Sequence, residues 1–111
     1  MRTDTIDPGR MTARMNLEVP VETPDGQGGM SRTFVPTGPL WALIEPRVAL
    51  IVDRRDERVV DVEHDVWIRH RTGVTPGMRF RKGTRLLVVL SAFDPDETRR
   101  YLVCRCREAR A

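Results

Sequence analysis

The side chains most able to do chemistry in this chain are its only histidines and cysteines, His64, His70, Cys104 and Cys106. His64 and His70 fall on one face of a strictly alternating run, and Cys104 and Cys106 share a face near the C-terminus, so a zinc site or a thiol–imidazole pair is the first chemistry to test. The spacing argues against both. The chain has neither a Cys-x-x-Cys nor a His-x-x-x-His pair, and cysteines two apart on a strand hold their Cα atoms about 7 Å apart, too far for an unstrained disulfide. The expectation is a pair of buried, reduced thiols and a hydrogen-bonded core histidine. No serine or cysteine nucleophile stands beside His64 in sequence.

Two further clusters resemble ligand loops. Gly26, Gly28 and Gly29 could cradle a phosphate, but the lysine and helix that complete a P-loop do not follow them. Asp94, Asp96 and Glu97 resemble the acidic start of a calcium loop, yet the glycine and the closing glutamate are missing and Pro95 separates the first two carboxylates. Turn chemistry explains both clusters, since glycine reaches positive φ without a Cβ clash and Asp and Pro favour tight turns. The sequence therefore predicts no catalytic residue, no metal and no cofactor.

Charge carries more information. Lys and Arg number 19 against 16 Asp and Glu, for a net charge of +3, and Lys82 is the only lysine. Guanidinium groups pair bidentately with carboxylates and phosphates, although a GC-rich genome accounts for an arginine excess equally well. From Asp53 to Glu63 acidic and basic residues are interleaved, which suits salt-bridged subunit contacts better than a duplex-binding face, and sequence-specific DNA reading is not expected. No apolar run approaches the ~18 residues of a membrane-spanning helix, and the polar N-terminus has no signal-peptide core, so folding in a cytoplasm is the expectation.

The chain's 111 residues suit one domain. Residues 1–14 show neither alternation nor a helical stripe and read as a flexible N-terminal arm, leaving 15–111 as the domain. Met15, Leu17, Val19 and Val21 alternate with polar neighbours as a first strand, with Pro20 marking an edge. Ser31 to Val35 reads as a second strand and Leu40 to Glu45 as a third, stopped by Pro46. Leu40, Ala42 and Ile44 share one face of the third strand, Trp41 and Leu43 the other. Two apolar faces imply burial inside a closed barrel or against a neighbouring subunit, with Trp41 nearest that second surface. Arg47 to Val59 joins an apolar start to a charged run, and a projecting charged loop or short helix accommodates both halves. Val60 to Arg71 then alternates without a break, about 40 Å of strand at ~3.3 Å per residue. Met78 to Arg81, Leu86 to Phe93 and Arg100 to Arg107 complete a set of six or seven short strands, an all-β barrel or sandwich.

Four runs in order carry a family resemblance: Asp25-Gly26-x-Gly28-Gly29; Trp41-Ala42-x-Ile44-Glu45-Pro46; Val66-x-Ile68-Arg69-x-Arg71-x-Gly73-Val74-x-Pro76-x-Met78-Arg79-Phe80; and Asp94-Pro95-Asp96 with Arg100-Tyr101-Leu102 and Cys104. From about Met15 to Glu108 the chain resembles the phage head–tail joining family, head-completion or stopper proteins that also occur in gene transfer agents. The resemblance implies a small β-barrel that forms a hexameric ring, or alternatively a dodecameric one. Such a ring sits between a portal-adaptor ring above and a tail terminator or tail tube below, closes the DNA-filled head, and touches packaged double-stranded DNA without reading its sequence. It implies assembly in the bacterial cytoplasm and residence in the particle. The family's channel-narrowing loop corresponds to Arg47 to Arg58, which makes Arg47, Arg54, Arg55 and Arg58 the expected channel-facing set. Asp25, Gly26, Trp41 and Trp67 are the expected contacts with a neighbouring subunit, adaptor or tail. The charged segment after Pro46 and the long N-terminal arm depart from the family pattern. The rival readings are a neighbouring connector component, either adaptor or tail terminator, a small zinc or hydrolytic enzyme, and an OB-like single-strand nucleic-acid barrel. The last needs exposed aromatics for base stacking, of which the chain has few.

Overall fold

The computed structural model describes the backbone of residues 6–54 and 57–110 and the side chains of 6–47 and 62–109. A 3-10 turn at Pro8–Arg10 precedes six strands: β1 (Ala13–Pro24), β2 (Met30–Arg54), β3 (Glu57–Arg69), β4 (Arg79–Lys82), β5 (Arg85–Phe93) and β6 (Tyr101–Arg110). Every pairing is antiparallel, and the sheet closes on itself in the order β1-β2-β3-β6-β5-β4. Closure is uneven. The seam between β1 and β4 is only Asn16–Glu18 against Arg79–Arg81, whereas the β1–β2 and β2–β3 ladders run on beyond the barrel as two-stranded ribbons. The radius of gyration of 16.0 Å exceeds the ~13 Å of a compact chain of this length, as projecting ribbons require.

The period-two pattern builds the core directly. Met15 and Leu17 of β1, Ala42 of β2, Val66 and Ile68 of β3, Phe80 of β4, Leu87 and Val89 of β5, and Cys104 and Cys106 of β6 are buried in one cluster, because alternate side chains of a closed sheet all point inward. A second, smaller cluster forms on the outside. Met11 is buried there with Trp67, Tyr101 and Val103, and Ile6 and Leu43 pack against them. Residues 6–12, inside the segment expected as an arm, thus cover part of the outer face. Asp7 caps the 3-10 turn by accepting a hydrogen bond from the Gly9 N–H (3.0 Å).

Three sequence expectations change. The second and third strands are a single β2, because the interruption at Pro36 to Pro39 is a bulge rather than a break. Glu18 pairs with Pro36 and Asn16 with Pro39, Gly38 takes φ +125°, and the Thr37 hydroxyl donates to the Leu17 carbonyl (3.0 Å). The extra residue lies between the two paired prolines, at Thr37 and Gly38, and bends the strand there so that it runs on past them. Pro46 does not end the strand either. It pairs with His64, at a point where β2 has lost β1 as a neighbour and half its N–H groups have no ladder to join. Finally, the described part of Arg47 to Val59 is neither a loop nor a short helix: residues 47–54 continue β2 and residues 57–59 belong to β3, with Arg54 opposite Glu57.

Candidate functional site

The structure separates His70 from the other residues first suspected of chemistry. Cys104 and Cys106 are free and buried, and His64 lies opposite Cys106, its Nε2 3.6 Å from a Glu108 carboxylate oxygen. His70 follows the end of β3, six residues and about 20 Å further along the chain, where its N–H donates to the Arg100 carbonyl (3.1 Å). Among the described residues no group of three or more His, Cys, Asp and Glu is placed to hold a metal ion. Burial pushes the Cys104 thiol up to about 12, and burial together with the neighbouring Cys104 and Asp65 pushes Cys106 up as well. At pH 7 the Cys104 thiol therefore stays protonated, the poorly nucleophilic form. Both cysteines should resist iodoacetamide in the native protein and react on addition of denaturant, as intact-mass spectrometry would read.

The glycine-rich connection is a self-contained turn. The Asp25 carboxylate accepts from the N–H groups of Gln27 (2.8 Å) and Gly29 (3.0 Å), which holds its carboxyl below the usual range. Those are the donors a phosphate would need. Gly26 and Gly28 stand at φ +82° and +85°, conformations in which other residues are strained. The acidic turn between β5 and β6 is used up in the same way. Asp94 accepts from the N–H groups of Glu97 (2.9 Å) and Arg99 (2.8 Å), and Asp96 binds Thr98 and Arg100.

What the molecule offers instead is surface. The β1–β2 ribbon exposes Val21, Met30 and Val35, and Trp41 is 55% exposed with the Arg14 guanidinium 6.0 Å from its ring centre. Trp67, by contrast, is covered within the chain by the outer cluster, and its Nε1 donates to Glu45 (3.0 Å). Arg47 stands at the base of the β2–β3 ribbon and donates to Asp65 (3.2 Å), which also accepts from Arg105 (2.8 Å). Arg54 and Arg58 lie on the two strands of that ribbon near its tip. Arg55 lies outside the described residues.

At the opposite end of the barrel, where β2 outruns β3, an open groove of about 980 Å³ is lined by Met11, Leu40, Trp41 and Ile68 on its apolar side and by Arg69 and Arg71 on its basic side. Among the described residues, no aspartate or glutamate lines it. Sequence reading marked Trp41 but missed the groove, since Met11, Trp41 and Arg71 are brought together only by the register of β2 and β3 and by the N-terminal cover.

A second feature also escaped sequence reading. Glu18, 7% exposed, accepts from the Nε atoms of Arg79 (2.6 Å) and Arg81 (2.9 Å), and the Arg79 guanidinium lies 3.6 Å from the centre of the Phe34 ring. This clasp sits on the outside of the β1–β4 seam. Burial by itself would raise the Glu18 pKa, but the hydrogen bonds and charges of Arg79 and Arg81 outweigh it and hold the carboxyl below its ordinary value.

A family model described as phage head completion protein matches residues 6–109. Among solved structures, a chain from the virion of a native gene transfer agent particle is similar at 25% identity with a TM-score of 0.71, covering 92% of this chain and 98% of that one. A protein of Shigella flexneri 2a, solved in solution, shares the fold at 23% identity and a TM-score of 0.66, with 94% of this chain and 97% of that one covered. No curated protein matches the sequence.

Proposed function

Because the chain belongs to the phage head completion protein family, we propose that it is a non-enzymatic structural protein that forms a ring at the head–tail interface of a phage or gene transfer agent particle. The ring closes the DNA-filled head and docks the tail. The family match over residues 6–109 carries this reading, and the likeness to a chain of a gene transfer agent virion supports it.

A two-stranded ribbon beyond a barrel presents unpaired edges and apolar side chains to water, a liability for a solitary monomer and an asset for a subunit whose neighbours cover them. Repeated by rotation, one heterologous contact closes a ring. Within such a ring the tip of the β2–β3 ribbon faces the channel. Arg54, Arg55 and Arg58 of every subunit then meet the phosphates of the DNA end, an attraction that needs no base contact. Assembly takes place in the bacterial cytoplasm before the ring becomes part of the particle.

Mass spectrometry of particles from the source bacterium should find this chain, and cryo-electron microscopy should show it as a ring between portal and tail. Its absence from DNA-filled, tailed particles would sink the reading. Replacing Arg54, Arg55 and Arg58 together with serine should leave the ring in place but release DNA from heads that lack tails, measured as nuclease-accessible DNA. Heads that keep their DNA would return these arginines to subunit contacts.

A further inference from the structure

The groove beside Trp41 and the tip of the β1–β2 ribbon are complementary in polarity and charge. The groove has an apolar wall of Met11, Leu40 and Ile68, a half-exposed indole at its mouth, a rim of Arg69 and Arg71, and, among the described residues, no carboxylate in its lining. The ribbon tip is its counterpart: Met30 is 61% exposed, Glu22 is paired with Arg32 within the ribbon (2.9 Å), and Asp25 stands exposed at the turn itself. Asp25 spends one oxygen, Oδ1, on its own turn.

A subunit cannot satisfy this complementarity by itself. Arg14 pairs with Trp41 at the groove end of the ladder and Pro24 pairs with Met30 at the tip. Ten residues of β1 therefore separate the two patches, about 33 Å at ~3.3 Å per residue. Two different patches at opposite ends of one ribbon make a head-to-tail contact, the kind that closes rings when the rotation permits.

The geometry points to a second copy of this chain as the occupant of the groove: the β1–β2 tip of one subunit enters the groove of the next, with Met30 against Trp41, Leu40 and the edge of Met11, and with Asp25 facing Arg69 and Arg71. This inference rests on the ring reading and names the surfaces that build it. A nucleic-acid strand suits the groove less well, because one of its walls is apolar and Trp41 and His70 are the stacking rings among the described residues that line it.

The test is a disulfide placed across the contact. Met30→Cys at the tip and Thr12→Cys beside Met11 on the groove wall are exposed positions that the contact brings together, and the native thiols are buried. In particles assembled from the double variant and treated with copper phenanthroline, most of the monomer band on a non-reducing gel should shift into a ladder of covalent multimers ending at the full ring. Either single variant should stay monomeric. Particles that contain the double variant as an intact ring by cryo-electron microscopy, yet give no ladder, would overturn this contact and leave the ring reading standing. Density for another virion protein or for nucleic acid in the groove would overturn it too. Particles in which the chain forms no ring would remove the proposed function and this inference with it.

Discussion

A Phe80→Ala variant should lose about 3–5 kcal/mol of folding stability, the usual cost of emptying a large aromatic site in a tight core. Phe80 is fully buried and stands in the middle of β4, flanked by Leu17 of β1 on one side and Leu87 of β5 on the other. β4 is four residues long, so little else holds the strand that closes the barrel. Against a typical total of ~5–15 kcal/mol for a domain, such a loss lowers the melting temperature by roughly 15 °C or more and drives part of the protein into the insoluble fraction. Differential scanning calorimetry measures the first effect. Phe93→Ala is the control: Phe93 is 46% exposed at the end of β5, and its removal should change stability by about 0.5 kcal/mol or less. Equal effects at the two positions would mean that the barrel is not closed through β4.

Glu18→Gln should be the most damaging polar substitution. It removes the one carboxylate shared by Arg79 and Arg81 and leaves two guanidinium groups facing each other across a mostly covered site. Breaking a buried pair from one side costs about 3–5 kcal/mol. Arg81 is 35% exposed on its side chain and water screens its share, so a loss of about 3 kcal/mol is the better expectation here. The pH dependence separates this ion triad from simple packing. Because the folded pKa of Glu18 lies below its ordinary value of 4.5, the carboxylate's contribution is fully present above that value and is lost as the pH falls through the folded pKa. Wild-type stability measured by urea melts should therefore decline from about pH 5 downward, and the Gln variant should show a visibly flatter decline. Parallel curves for the two proteins would show that the clasp is ornamental.

Much of the barrel was legible because its signals are local. The alternation of Val66 and Ile68 with Trp67, or of Met15 and Leu17 with Asn16, assigns strand and inward face together. The turn chemistry of Asp25-Gly26 and Asp94-Pro95-Asp96 was equally plain, since an aspartate that caps its own turn does so within a few residues. The resemblance carried by the four ordered runs reached the family as well, and the family model spans nearly the same residues. The continuity of β2 was not legible. Pro36, Pro39 and Pro46 read as stops, and whether a proline stops a strand depends on which edge its missing N–H would have served, a property of the neighbours.

The sequence by itself determined that this is an all-β chain with tight Asp- and Gly-based turns, because strand period and turn chemistry are short-range facts. Only the tertiary structure decided that Glu18 meets Arg79 and Arg81 from more than sixty positions away, that Met11 covers Trp67, and that Trp41 borders a groove with Arg71. Those contacts depend on register and closure, which place residues beside one another by how strands pair and not by how far apart they stand along the chain.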